Sequence, residues 1–197
     1  MEATRTQPKI KNNQDLRNNQ DIKNVYGQAQ ITKNIMLPYN AIGKNMQMIL
    51  EETIATMVEG KCIVEGFVKH NSVKVKTFSS GIIKGDQVIF DVIFNCEVCF
   101  PVAGMKLNCN VKNITKAGIR AESSDSNDKN TPFVLFIARD HYSGNDYFNS
   151  IEENDKIIAR VIAQRFELND KYVSIVAELI KPKNLNNNQN QKPKLGL

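Results

Sequence analysis

Between residues 104 and 180, apolar and polar positions alternate in short runs, each ending in turn-forming residues. Gly104-Met-Lys-Leu-Asn-Cys-Asn-Val-Lys-Asn-Ile114 alternates throughout, and Thr115-Lys-Ala-Gly118 turns it into Ile119-Arg-Ala-Glu122. A polar stretch, Ser123 to Asn130, precedes the compact apolar run Phe133 to Ala138, and Arg139 to Asn145 read as a loop. Two more strands, Lys156 to Phe166 and Tyr172 to Ile180, meet at Asn169-Asp170. A period of two puts successive side chains on opposite faces of a strand. Five short strands with turn chemistry at each corner predict a small, closed or partly closed all-β barrel over residues 102–181. Within it Phe133 and Phe136 are read as core or underside residues.

Residues 28–101 follow a different rhythm. Gln28 to Pro38 reads as a strand, with Ile31, Ile35 and Leu37 apolar and Pro38 ending it. A helix is predicted over Ile42 to Glu59, with Asn40 as cap and Gly60 as stop. Met46, Leu50, Ile54, Met57 and Val58 fall on one face at helical spacing. Such a methionine-bearing stripe could line a partner groove, but packing on the chain's own sheet is the expectation for an amphipathic helix. Lys61–Val68, Ser72–Phe78 and Gln87–Phe100 are strand-like, with turns at Lys69–Ser72 and Lys84–Asp86. The fold class is therefore α+β followed by all-β, a helix on an antiparallel sheet and then a barrel.

Charge changes this picture once it is located. The chain has 26 basic and 21 acidic residues. Five basic and three acidic groups lie in residues 1–27, and four lysines with no acid lie in residues 181–197. The body keeps seventeen basic against eighteen acidic groups, so any nucleic-acid surface on it must be a local patch. Residues 1–27 are rich in Asn, Gln and Lys and poor in apolar groups, which predicts a disordered basic arm; residues 182–197 are read as a disordered tail. No run of about 18 apolar residues exists, so a membrane partner is not expected. Met1 to Gln7 lack an apolar signal core, which argues against secretion.

Candidate chemistry is sparse. Cys96-Glu-Val-Cys99 has the spacing of half a zinc site, but zinc takes about four ligands and no second pair exists. On a strand, residues three apart also point to opposite faces. Structural thiols are expected, with no metal and no cofactor. Only His70 and His141 could serve as bases near neutral pH, and neither sits in a catalytic motif. The acids of Ser123–Lys129 lack the glycine and final glutamate of a calcium loop. An enzyme of its own is not expected. What the barrel can offer is aromatic faces and cations for unpaired nucleotides: Lys112, Lys116 and Arg120 on the first hairpin, Arg139, His141 and Tyr142 on the loop, and Arg165, Phe166 and Tyr172 at the last hairpin.

These residues carry a resemblance. Val111-Lys-Asn-Ile-Thr-Lys-Ala-Gly-Ile119, Leu135-Phe-Ile-Ala-Arg139 and Asp155-Lys-Ile-Ile-Ala-Arg-Val-Ile162 together resemble the ribosomal S-one-type OB module that binds RNA. Phe166-Glu-Leu-Asn-Asp-Lys-Tyr-Val-Ser-Ile175 is similar to the last hairpin of the stalk subunit of multisubunit RNA polymerases, the seventh-largest subunit of RNA polymerase II and its archaeal counterpart. Glu59-Gly-Lys-Cys62 after the helix, and Phe90 to Pro101 entering the barrel, resemble that subunit's tip domain and junction. The likeness covers about residues 28–180 in the same element order. One departure stands out: such modules usually carry an aromatic after the glycine and its apolar neighbour, where this chain has Gly118-Ile119-Arg120.

The resemblance implies a non-catalytic stalk subunit of a DNA-directed RNA polymerase. Its tip domain, residues 28–101, would dock on the core subunits, and its barrel would contact single-stranded RNA during transcription. The docking residues it implies are Pro38, the turn Lys69, His70 and Asn71, and the turn Ile82, Ile83, Lys84 and Gly85. A second stalk subunit is a further partner it raises. The Asn-, Ile- and Lys-rich composition is similar to versions encoded by large cytoplasmic DNA viruses, which implies a cytoplasmic virus factory and the virion, or the nucleus for a cellular subunit. The alternatives are a free OB-fold RNA-binding protein of translation or RNA decay, and a zinc-binding adaptor using Cys96 and Cys99.

Overall fold

The computed structural model describes residues 25–124 and 131–181. The expected C-terminal tail, the acidic loop around residues 125–130 and most of the expected basic arm lie outside them. The arm's last three residues do not behave as an arm. Val25 is buried, and Tyr26 opens a strand that pairs with Cys99, its ring 5.1 Å from the Lys69 ammonium.

The first sheet is organised by one long strand. It contains β1 (Tyr26–Pro38), β2 (Cys62–Ile63), β3 (Gly66–Val68), β4 (Lys74–Phe78), β5 (Ile82–Lys84) and β6 (Gln87–Cys99). β6 pairs antiparallel with β1 along its whole length, from Tyr26 opposite Cys99 to Pro38 opposite Gln87. Its other edge takes β5, β4 and β3 in succession. The run Lys61–Val68, expected as one strand, is two, because Val64 and Glu65 turn the chain back to pair Cys62 with Phe67. Strict alternation buries Val88, Phe90, Val92, Phe94, Cys96 and Val98 on one face of β6.

Helix α1 (Met46–Val58) contributes Leu50, Ile54 and Val58 to the core formed by that face with Ile35, Leu37 and Val75. It starts four residues later than the sequence suggests, with Asn45 rather than Asn40 at the cap position. Asn40 is instead inside a 3-10 turn, Tyr39–Ala41, tied to the next hairpin by Tyr39 N–H donating to the Asp86 carbonyl (3.3 Å). Met57 stays 46% exposed, since Leu50, Ile54 and Val58, four apart, already define the buried line.

The second half is a closed barrel of β7 (Lys106–Ile114), β8 (Gly118–Ser123), β9 (Phe133–Ala138), β10 (Lys156–Arg165) and β11 (Val173–Ile180). Around it the order is β7-β8-β9-β11-β10 and back to β7. All pairs are antiparallel except β9 with β11, giving an OB-like barrel. Between β9 and β10 the short helix α2 (Asp146–Asn149) is capped by the Asn145 side chain, which accepts from the Tyr147 and Phe148 N–H groups (3.0 and 3.2 Å). Phe148 and Ile151 are buried in the barrel core.

Sheet and barrel share buried contacts. Val25, Cys62, Phe67 and Cys99 from the sheet lie in the barrel's core cluster. The Asn169-Asp170 turn is hydrogen bonded to β2: Asn169 N–H donates to the Cys62 carbonyl and Cys62 N–H donates to the Asp170 carbonyl, both at 2.8 Å. Phe100 meets Phe166 edge-on with ring centroids 6.1 Å apart.

Candidate nucleic-acid face and docking surfaces

The outward positions of β8, β9 and β11 build the candidate site row by row. Arg120 pairs across to Phe136, which pairs across to Val176; one row along, Glu122, Val134 and Ser174 are aligned. Tyr172, just before β11, and Arg165, at the end of β10, extend the face. All of these but Glu122 line a groove of about 390 Å³. Its apolar part comes from Val134, Phe136 and Val176; Phe136 is 37% and Tyr172 40% exposed. Phe136 is thus not an underside residue. β9 alternates Phe133, Leu135 and Ile137 inward with Val134, Phe136 and Ala138 outward, and an all-apolar run gives no polar marker of which set faces out.

Gly118 sets the local geometry. Its φ of +155° favours glycine, and a Cβ there would lie 2.1 Å from the Ile137 carbonyl and 2.9 Å from the Phe136 ring. The bare backbone lets that ring lie close over β8, so β9 supplies an aromatic surface beside a strand that carries Arg120 instead of a ring.

Both groove arginines already have anionic partners. Arg120 contacts Glu122 at 3.2 Å and Arg165 contacts Glu167 at 3.0 Å. Lys112, at the bulge of β7, and Lys116, in the β7–β8 loop, are exposed. His141 is exposed on a 3-10 turn, Arg139–Tyr142. Arg139 and Tyr142 are engaged in structure. The Arg139 N–H donates to the Ala117 carbonyl and its Nη2 to the Thr115 carbonyl, both at 3.0 Å, while the guanidinium sits 5.1 Å from the Phe148 ring centroid. Tyr142 stacks on Phe148 at 5.0 Å, and its hydroxyl accepts from the Leu179 N–H at 2.6 Å. Phe166 turns to the sheet–barrel junction. Of the nine residues expected on the nucleic-acid face, the groove brings together Arg120, Arg165 and Tyr172, and it adds Val134, Phe136, Gln164, Ser174 and Val176.

The expected docking residues separate into two groups. Pro38 pairs with Gln87, and Ile82, Ile83 and Lys84 pair with Ile89, Val88 and Gln87, so they and Gly85 share the far end of the sheet. Met36, Tyr39, Ile82 and Ile83 are 58–67% exposed there, an apolar end without a protein partner among the described residues. Lys69 lies beside the junction, its N–H donating to the Glu97 carbonyl and its ammonium 2.6 Å from the Glu97 carboxylate. Glu97 is ten residues along β6 from Gln87, about 33 Å at strand rise. The turn holding His70 and Asn71 is drawn in by Glu59, whose carboxylate accepts from the N–H groups of Asn71 (2.8 Å), Ser72 and Val73 (3.0 Å each). The His70 ring also packs where a Gly60 side chain would stand.

Cys62, Cys96, Cys99 and Cys109 are buried free thiols. Cys96 belongs to the sheet core and Cys99 to the barrel core, as strand geometry requires for residues three apart. Burial raises the Cys62 and Cys96 thiols from 9.0 to about 11, with neighbouring carboxylates adding to it, and Cys99 to about 12; Cys109 goes higher still. No group of three or more His, Cys, Asp or Glu among the described residues could hold a metal ion. No described helix is long and apolar enough to cross a membrane.

These features define a class: a helix-covered antiparallel sheet fused to an OB-like barrel that carries an aromatic and arginine groove. No protein-family model matches the sequence. The chain is similar to a protein of Acanthamoeba polyphaga mimivirus named as a candidate DNA-directed RNA polymerase subunit. The two are 25% identical over 169 residues, 80% of this chain and 83% of that protein. An alignment of that length is longer than either half and must run through both sheet and barrel.

Proposed function

We propose that this chain is an accessory subunit of a multisubunit DNA-directed RNA polymerase, of the stalk kind, encoded by a large DNA virus. The observation that carries the reading is similarity, across four fifths of the chain, to a mimivirus protein named as a candidate DNA-directed RNA polymerase subunit, with no kind of subunit given. That length joins two parts suited to two tasks. The far end of the first sheet is the docking end, where Met36, Tyr39, Ile82 and Ile83 offer exposed apolar area to the polymerase core. Lys69, His70 and Asn71, held by Glu97 and Glu59 near the junction, are secondary to it. The barrel lies at the other end of the chain's long axis of β6 and meets single-stranded RNA as it leaves the enzyme. Contact there need only be weak, because tethering to the polymerase supplies effective concentration. A cleft of about 740 Å³ between sheet and barrel, lined by Tyr26, Phe100, Val102 and Met105, is the surface best shaped for a second stalk subunit.

Catalysis is left to the core subunits, and the chain works where the transcripts are made, in a viral factory and in the virion. The test is a tagged pull-down from producing cells with the co-purifying proteins identified. Large polymerase subunits in fixed ratio are expected. Ribosomal or RNA-decay partners, or no stable partner, would overturn the reading in favour of a free RNA-binding protein.

A further inference from the structure

The first sheet treats its edges unequally. The outer edge of β2 is tied to the barrel by the Asn169-Asp170 turn. The outer edge of β4 is filled by α1. The Glu51 carboxylate accepts from the Val75 N–H (3.0 Å), and the Gln47 carboxamide donates to the Val75 carbonyl (3.3 Å). The Glu59 carboxylate holds the N–H groups of Asn71, Ser72 and Val73 in the same way. β1 has no such cover. It pairs with β6 on one side, and among the described residues no backbone group from Gly27 to Leu37 bonds to anything on the other. An antiparallel neighbour uses only alternate N–H and C=O groups, so about half of those of β1 point away from the sheet.

Most devices that guard an exposed edge are missing from β1. All thirteen positions pair with β6 without a register shift, whereas bulges interrupt β4, β7 and β10. Proline stands only at the end of the strand, and Lys33 is its single charge. Lys33 is half-buried opposite Val92, on the inner face with Ala29, Ile31 and Ile35. Gln28, Gln30, Thr32 and Asn34 lie on the outer face.

We propose that β1 is the two-fold interface of a homodimer, in which the β1 strands of two copies pair antiparallel and join their sheets into one. The occupant is a second copy because β1 is complementary to itself. Full overlap of the thirteen residues sets Tyr26 opposite the partner's Pro38 and places the two-fold axis beside Thr32. In that register inner residues meet inner and outer meet outer. Ala29 faces the partner's Ile35, and Ile31 packs along the stem of the partner's Lys33. Gln30 faces the partner's Asn34, and Thr32 faces the partner's Thr32. No like charges are opposed. Moving the axis by one residue would bring two Lys33 ammoniums together and leave Tyr26 and Gly27 without partners in the new ladder. One strand pair is a small interface beside the roughly 1,200–2,000 Å² of stable complexes, so the dissociation constant is expected in the micromolar range. The dimer belongs to the free chain and does not depend on the polymerase reading.

The experiment is sedimentation velocity on the full chain from about 1 to 200 µM, spanning that range. A reversible monomer–dimer equilibrium is expected. Thr32→Lys and Thr32→Asp, at an exposed position and checked for unchanged melting, should each weaken dimerisation by at least about 10-fold, because like charges then meet across the axis. A one-to-one mixture of the two variants should restore it, since Lys then faces Asp. Hydrogen exchange gives a second readout: alternate β1 amides should be protected at high concentration and exchange faster on dilution. A chain that stays monomeric at the highest concentration overturns the proposal. So does a dimer that neither substitution weakens, or a loss that the mixture fails to restore, since the contact then lies elsewhere. Protection of both sets of β1 amides in a monomeric chain would also overturn it, because another part of the same chain would then cover the edge.

Discussion

Single residues in this chain are constrained by what stands against them. Gly118 combines a positive φ with a carbonyl 2.1 Å from where a side chain would begin. Gly118→Ala must strain the backbone and push β8 from β9, so it should cost at least about 2 kcal/mol. In a urea melt the midpoint should fall clearly, whereas Gly85→Ala, with nothing within 4 Å, meets only the strain of its φ of +64°. The four cysteines give a pH prediction. Their thiols titrate at about 11 or above in the folded chain, against an ordinary 9.0, because burial disfavours the thiolate. A folded pKa above the unfolded one means stability that is whole below about pH 9 and is lost as pH climbs through 11 to 12. The native chain should accordingly resist a thiol reagent at pH 8, and its unfolding midpoint should drop between pH 9 and pH 11. Rapid labelling of all four at pH 8 would contradict this burial.

At the scale of elements, the last hairpin does more than close the barrel. Asn169, at φ +70°, shapes the turn whose backbone exchanges two hydrogen bonds with Cys62 on β2. A β-branched residue tolerates that conformation poorly. Asn169→Val is expected to cost about 1–2 kcal/mol and to speed exchange of the Cys62 amide, read by hydrogen exchange. Asn169→Gly should change stability by only a few tenths of a kcal/mol. The strands themselves are readable from alternation, as β6 and β7 illustrate: buried positions fall two apart from Val88 to Val98 and from Leu107 to Val111. The apolar run of β9 is readable as a strand but not as a face, because no polar residue in it marks that Phe136 points outward. The ion pairs Arg120–Glu122 and Arg165–Glu167 do leave a signal in the sequence, opposite charges two residues apart. Helix α1 was legible as an element, but its first turn was not, since Asn40 and Asn45 are both suitable caps.

At the scale of the whole molecule, folding gathers exposed surface from distant segments. Met36, Ile82 and Ile83 come together at the far end of the sheet from segments more than forty residues apart. Replacing all three by serine should leave the fold intact, judged by circular dichroism. It should also lower recovery of large polymerase subunits in the pull-down by at least about tenfold, the effect of losing one interface hot spot. Lys69→Ala, at the other end of β6, should lower it far less. Equal losses would mean that docking uses the junction end. The sequence by itself determined the strand and helix periods, the barrel's element order and the lack of excess positive charge on the body, because these depend on neighbours along the chain. The tertiary structure alone decided that the barrel closes by pairing β9 with β11, that Cys96 and Cys99 enter different cores, that Arg139 and Tyr142 are drawn into packing, and that the expected docking turns lie at opposite ends of one strand. Each of these depends on pairing between distant residues, where local pattern carries no information about the partner.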